Sequence, residues 1–168
     1  MYMKLLVFSD SHSSLWFMRQ CVASVKPDGI IHLGDHFQDG TAIAEENENI
    51  PIYQVYGNCD GFYGMMPEDS VKLCTIDGVR LLLTHGHRFQ VKNGLDKLID
   101  YGKAQGVQGI LYGHTHVAHN CRDKDGLLIL NPGAAGSGGG SAAVLEIIGG
   151  KISACRIIGQ ADLYAQNH

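Results

Sequence analysis

The chain has 168 residues, 45% of them apolar and 18% charged, with a net charge of −4. That length suits one compact domain, read here as 1–168, and is enough to bury a core without disulfide staples. The composition excludes a disordered chain, and the absence of any Lys/Arg run leaves no strong signal for nucleic acid or a membrane surface.

In chain order, residues 4–9 read as a first strand. It is a short apolar run that ends in an acid, which is not the pattern of a signal peptide. Residues 15–26 carry Leu15, Met18, Val22 and Val25 at helical spacing and stop at Pro27-Asp28-Gly29. Residues 29–33 are a second apolar run, 41–48 a short helix and 51–56 a third run. Apolar strands alternating with helices predict a parallel sheet covered on both faces. From residue 70 the pattern turns to hairpins: 70–76 and 79–84 flank Asp77-Gly78. Residues 92–105, with Leu95, Leu98, Ile99 and Tyr101, predict a helix, and 109–112 a buried strand. Residues 117–122 and 127–130 flank Asp125-Gly126, and 142–148 and 151–158 flank Gly149-Gly150. The stretch 136–141 reads as a glycine-rich loop and the tail 159–168 as loose. Two stacked sheets with helices outside form a coherent assembly of these elements. No apolar stretch reaches the roughly 18 residues of a spanning helix. The five cysteines, Cys21, Cys59, Cys74, Cys121 and Cys155, lack a CxxC and read as reduced, mostly buried thiols, so the cytoplasm is the expected location.

Five of the apolar runs end in polar groups of one kind: Asp10-Ser11-His12, Gly34-Asp35, Gly57-Asn58-Cys59-Asp60, His85-Gly86-His87 and Gly113-His114-Thr115-His116. Ligands of an open parallel sheet bind beyond the carboxyl ends of its strands, so the five clusters are expected to converge. In extended backbone, residues i and i+2 point the same way, so Asp10/His12 and His114/His116 each offer a ligand pair. Carboxylate, amide and imidazole together favour Mn²⁺, Fe or Zn²⁺ over Ca²⁺. Seven such side chains suit two ions sharing a carboxylate, spaced ~3.5–4 Å apart to clamp a phosphoryl group and activate a bridging water.

This ordered set resembles the calcineurin-like metallophosphoesterases. The length and the Gly-Asn-Cys-Asp variant resemble the family's small single-domain phosphodiesterase (YfcE-like) branch, related to a retromer subunit. The resemblance spans residues 5 to about 144 and implies an αββα sandwich of two mixed β-sheets flanked by helices. It implies two divalent ions, Mn²⁺ foremost, with Ni²⁺, Fe, Zn²⁺ and Mg²⁺ as alternatives. One ion would be held by Asp10, His12, Asp35 and His116, the other by Asp35, Asn58, His85 and His114, with Asp35 bridging. The implied substrate is a small phosphodiester, and family members are often homo-oligomers. Cys59 stands where much of the family has a histidine that can protonate the leaving group or bind the phosphate, and a neutral thiol is a poor stand-in for an imidazolium. His87 and His119 are candidate auxiliary donors, and Asp60 a candidate to orient a neighbour.

Plainer readings apply to other residues. His32 is expected to be a packed core histidine, His36 an orienting or solvated residue, His119 a rim residue and Asp39 a solvated loop residue. Phe62 and Tyr63 either line a substrate wall or cover core. The competing function is a non-catalytic scaffold of the retromer-subunit type, which has no need for all seven ligands.

Overall fold

In the computed structural model, which describes residues 1–61 and 67–165, ten strands form two five-stranded sheets. The strands are β1 (Tyr2–Phe8), β2 (Gly29–His32), β3 (Ile52–Gln54), β4 (Val71–Ile76), β5 (Val79–Thr84), β6 (Gly109–Leu111), β7 (His119–Arg122), β8 (Leu128–Asn131), β9 (Ser141–Ile148) and β10 (Lys151–Gly159). The first sheet runs β10-β9-β1-β2-β3 and the second β4-β5-β6-β8-β7. Parallel strands sit at the heart of each: β1 pairs β2 with Leu6 opposite Ile30, and β5 pairs β6 with Leu82 opposite Ile110. The three hairpins add the antiparallel pairs β4/β5, β7/β8 and β9/β10.

Alternation along the strands sorts the core into layers. Leu5 and Val7 of β1, Ile31 of β2, Leu81 and Leu83 of β5 and Leu145 of β9 pack between the sheets. Their neighbours Leu6, Phe8, Ile30 and Val144 face outward and meet Phe17, Met18 and Cys21 of helix α1 (Leu15–Val25) and Ile43 of α2 (Phe37–Glu46). On the far side, Leu82, Ile110 and Ile129 meet Leu98 of α3 (Asp96–Ala104). The result is helix, sheet, sheet, helix, with both central strands buried on two faces. This explains why those strands read as unbroken apolar runs.

Three boundaries differ from expectation. Helix α2 starts at Phe37 rather than residue 41, because Asp60 Oδ1 accepts the Phe37 N–H at 2.7 Å and anchors the first turn from outside the helix. Helix α3 starts at Asp96 rather than 92, after two short 3₁₀ turns and Gly94 at φ 129°. The tail is not loose: α4 (Gln160–Ala165) buries Leu163 in the α1 layer, and Asp162 accepts the Gly159 N–H at 2.7 Å. One polar side chain and one apolar anchor are too short a signal for periodicity to catch. Among the described residues, no helix is long and apolar enough to cross a membrane.

Candidate metal centre

All five clusters follow parallel strands: Asp10 and His12 after β1, Asp35 after β2, Asn58 after β3, His85 after β5, and His114 and His116 after β6. Within each sheet, backbone bonds continue past the strands and tie these ends together: Asp10 N–H to Gly34 O, and Gly113 N–H to His85 O, both 2.9 Å. Two further bonds join the sheets. The His114 N–H donates to Asp10 Oδ2 at 3.1 Å, and His85 Nδ1 lies 2.8 Å from Leu33 O. The close approach needs Gly57 and Gly113: a Cβ on Gly57 would collide with Asp35 Oδ1, and one on Gly113 with Ser9 Oγ and Asp10 Oδ2.

One ligand atom each from Asp10, His12, Asp35 and His116 lies within 4.8 Å of the others. Asp10 Oδ1 and His116 Nε2 are 3.1 Å apart, the spacing of two donors at right angles on one ion at ~2.1 Å. His85 Nε2 is 3.5 Å from Asp35 Oδ1 and 3.8 Å from Asp10 Oδ1. The His85 and His114 rings are 5.0 Å apart, and His87 lies 5.5 and 6.1 Å from them. His12 stands 5.5 Å from His116. The imidazoles thus form two groups on either side of Asp10 and Asp35. Asn58 is exposed, with its amide nitrogen 3.6 Å from Cys59 Sγ.

The electrostatics suit cations. Asp10 Oδ1 and His85 Nε2 are buried with no hydrogen-bond partner, and polar atoms so placed are costly unless something binds them. Because Leu33 O can only accept, His85 Nδ1 carries a proton, and in the neutral imidazole Nε2 is the atom that presents a lone pair. Burial acts to raise the Asp35 carboxyl, but the neighbouring His85 imidazole and the Cys59 N–H outweigh it and hold the group well below the usual carboxylate range. Burial likewise disfavours charge on His85, and Asp35 and Asp10 together overcome it and push the imidazole up. His114, desolvated and beside His85, is pushed down to about 4, and His87 is lowered by burial and the same neighbour. The Cys59 thiol is raised by burial and by Asp35, so it stays protonated.

Asp60 lies behind the site and orients it. Its Oδ2 accepts the N–H groups of Asp35 (2.9 Å) and Gly57 (2.8 Å), while Oδ1 accepts that of Phe37. Sequence reasoning missed Ser11 and misplaced Asp39. Asp39 is no solvated loop residue: it is 5% exposed on α2 and accepts hydrogen bonds from Ser11 Oγ (2.8 Å) and the Ser13 N–H (2.7 Å). His32 is fully buried as expected, yet it is also bonded, with Nε2 2.9 Å from Ser11 Oγ. A buried carboxylate three residues from a ligand loop leaves no periodic trace; only the Asp35-to-Asp39 spacing on one helix start could have pointed to it. His119 bonds Tyr112 Oη (2.9 Å) and Cys121 Sγ (3.3 Å), on the strand leaving the site. Among the cysteines Cys21 is buried and Cys74 and Cys155 are half-buried, while Cys121 is exposed, contrary to its expected burial; Cys59 is exposed as well. Phe62, Tyr63 and His168 fall outside the described residues.

The profile of the calcineurin-like phosphoesterase superfamily domain matches residues 3–149. The chain belongs to this superfamily. A probable metallophosphoesterase of Mycoplasma pneumoniae is 29% identical over 137 residues, covering 78% of both chains. The probable metallophosphoesterase YsnB of Bacillus subtilis is 33% identical over 135 residues, 79% of this chain and 75% of its own. Among solved structures, an archaeal phosphodiesterase is 25% identical with a TM-score of 0.71, covering 94% of this chain and 99% of its own. A predicted phosphoesterase of Streptococcus pneumoniae (22%, TM-score 0.71, 95% and 99%) shares the fold. So does Vacuolar Protein Sorting 29 of Cryptosporidium parvum (18%, 0.72, 95% and 99%). The chain is therefore a hydrolase of the calcineurin-like phosphoesterase type, a family that uses divalent metal ions, and the cluster around Asp10 and Asp35 is its candidate metal site.

Proposed function

We propose that this phosphoesterase hydrolyses a small phosphodiester at a dinuclear centre, with Mn²⁺ the foremost ion. Asp10, His12, Asp35 and His116 would hold one ion and Asp35, Asn58, His85 and His114 the other. The observation that carries this reading is the buried pair Asp10 Oδ1 and His85 Nε2, 3.8 Å apart and without hydrogen bonds, with Asp35 Oδ1 3.5 Å from His85 Nε2. Buried polar atoms without hydrogen bonds beside two carboxylates support the reading that cations bind there.

Bound ions would supply charge neutralisation for the phosphoryl oxygens and a more acidic attacking water. The remaining work falls to the chain. Asp60 fixes the backbone of Asp35 and Gly57, so the shared carboxylate does not swing. Leu33 O selects the His85 tautomer. His114, neutral near pH 7, offers a lone pair without first losing a proton. The side chains of His12 and His116 are exposed while Asp10 and His85 are buried, so substrate would enter from the His12/His116 side.

Among the described residues, neither Cys59 nor His87 is a strong general acid. Cys59 keeps its proton too tightly to give it readily, and His87 is held neutral. Turnover should then favour esters with good leaving groups. The test is a hydrolysis screen with Mn²⁺, Ni²⁺, Mg²⁺ and Zn²⁺ comparing kcat/KM for an activated aryl diester and an alkyl monoester. Preference for the diester supports the reading; preference for the monoester counts against it. A non-catalytic scaffold of the retromer-subunit type would need neither the buried orphan atoms nor the Asp60 clamp. Metal-independent absence of hydrolysis across the whole screen would favour that alternative.

A further inference from the structure

His12 sits on a strained loop. Asp10, His12 and Ser13 have φ of 52°, 44° and 69°, left-handed values that an L-residue holds only when its surroundings over-determine them. Two bonds on one buried atom supply that constraint. Asp39 Oδ2 accepts the Ser11 hydroxyl on one side of His12 and the Ser13 N–H on the other. The Ser11 hydroxyl is itself fixed from behind. The Gly34 N–H donates to His32 Nδ1 at 3.2 Å, so His32 Nε2 carries the proton and donates to Ser11 Oγ, which leaves the Ser11 proton for Asp39. His32, Ser11 and Asp39 are all at least nine-tenths buried. On the solvent side, the His36 ring meets the His12 ring edge-on at 5.1 Å, and His36 Nδ1 reaches Ser13 Oγ at 3.1 Å.

We propose that Asp39 is a positioning residue for the metal centre, holding His12 toward the ion it shares with Asp10, Asp35 and His116 through the Ser11–Ser13 clamp. The proposal rests on the reading of that ligand set given above. It extends that reading to a carboxylate that touches none of the four ligand side chains. Asp39 and Asp60 then divide the work: Asp60 fixes the Asp35 loop and Asp39 the His12 loop, both from around the start of α2. Loss of such an outer partner typically lowers metal affinity ~10–100-fold.

The experiment is calorimetric titration of the metal-free full chain with Mn²⁺, for wild type, Asp39→Ala, Asp39→Asn, His12→Ala and the double variant Asp39→Ala/His12→Ala. Asp39→Ala should weaken one ion ~10–100-fold and leave the other near its wild-type affinity. Asp39→Asn keeps an acceptor at the same place and should restore most of the loss. Since Asp39 acts through His12, the double variant should bind no more weakly than His12→Ala alone. Additive losses, equal weakening of both ions, or wild-type affinity in Asp39→Ala would each overturn the proposal. If circular dichroism shows that Asp39→Ala does not fold, Ser11→Ala, which removes one of the two bonds, is read by the same criteria. Wild-type protein that takes up no metal would overturn the ligand set and this inference together. Wild-type uptake with an indifferent Asp39→Ala would overturn this inference alone.

Discussion

The two ends of the sandwich make their turns by different means. At the end opposite the metal centre, the hairpins turn on Gly78, Gly126, Gly149 and Gly150, with φ from 57° to 84°. At the metal-centre end, the left-handed positions are held by Asp10, His12, Asp35, His114 and His116, five of the seven expected ligands. A glycine would adopt those angles without strain, but it brings no side chain. Where only a turn is needed, the chain mostly uses glycine, with Asp77 and Lys26 as exceptions; where an expected ligand stands at the turn, it accepts strain. It then offsets that strain with buried hydrogen bonds from Asp39 and Asp60.

The sharpest way to break this comparison is to remove the Asp35 carboxylate, proposed to be shared by two ions. Asp35→Asn keeps the size and the acceptor for the Cys59 N–H but loses the charge. Its kcat/KM in the presence of metal should fall by more than the ~100-fold that losing an orienting partner costs; retention of a substantial rate would contradict the shared role. Next comes Asp60→Ala, which strands the backbone N–H groups of Asp35, Phe37 and Gly57. Denaturant unfolding should show a loss of about 3–5 kcal/mol, at ~1.5 kcal/mol per bond to a charged acceptor.

A third prediction concerns pH. Burial holds His32 neutral by lowering it to about 4, whereas the unfolded chain titrates near the ordinary value of 6.5. Between those values the unfolded state binds more protons, so this residue's share of stability is intact above about pH 6.5 and is lost as pH falls toward 4. The full loss is about 3 kcal/mol. Unfolding curves at pH 7.5 and 5 should show a smaller pH dependence for His32→Gln than for wild type. The smallest effect tests the strain itself. At Gly126, φ is 84° and a Cβ meets nothing within 4 Å, so Gly126→Ala isolates backbone strain and should cost ~1 kcal/mol. At the other end, His12→Gly should exceed His12→Ala in stability by a similar ~1 kcal/mol. Equal stabilities would mean that the ligand loop is unstrained.

Much of the architecture was legible because buried strands and hairpin turns leave local marks. Leu5 to Phe8 read as an apolar run because both faces are covered, and Asp77-Gly78 marks its own turn. The clusters that meet at the candidate site were legible because each follows an apolar run. What stayed hidden depends on partners distant in sequence. The start of α2 is set by Asp60, 23 residues after Phe37. The burial of Asp39 follows from α2 docking its first turn over Ser11, and α4 depends on Leu163 finding the α1 layer. No local pattern encodes those meetings.

The most direct measurement is anomalous diffraction from crystals of the full chain grown with Mn²⁺. Two peaks ~3.5–4 Å apart, with Asp35 touching both, His12 and His116 on one and His85 and His114 on the other, are the expected result. A single peak, or two that do not share Asp35, would contradict the dinuclear account.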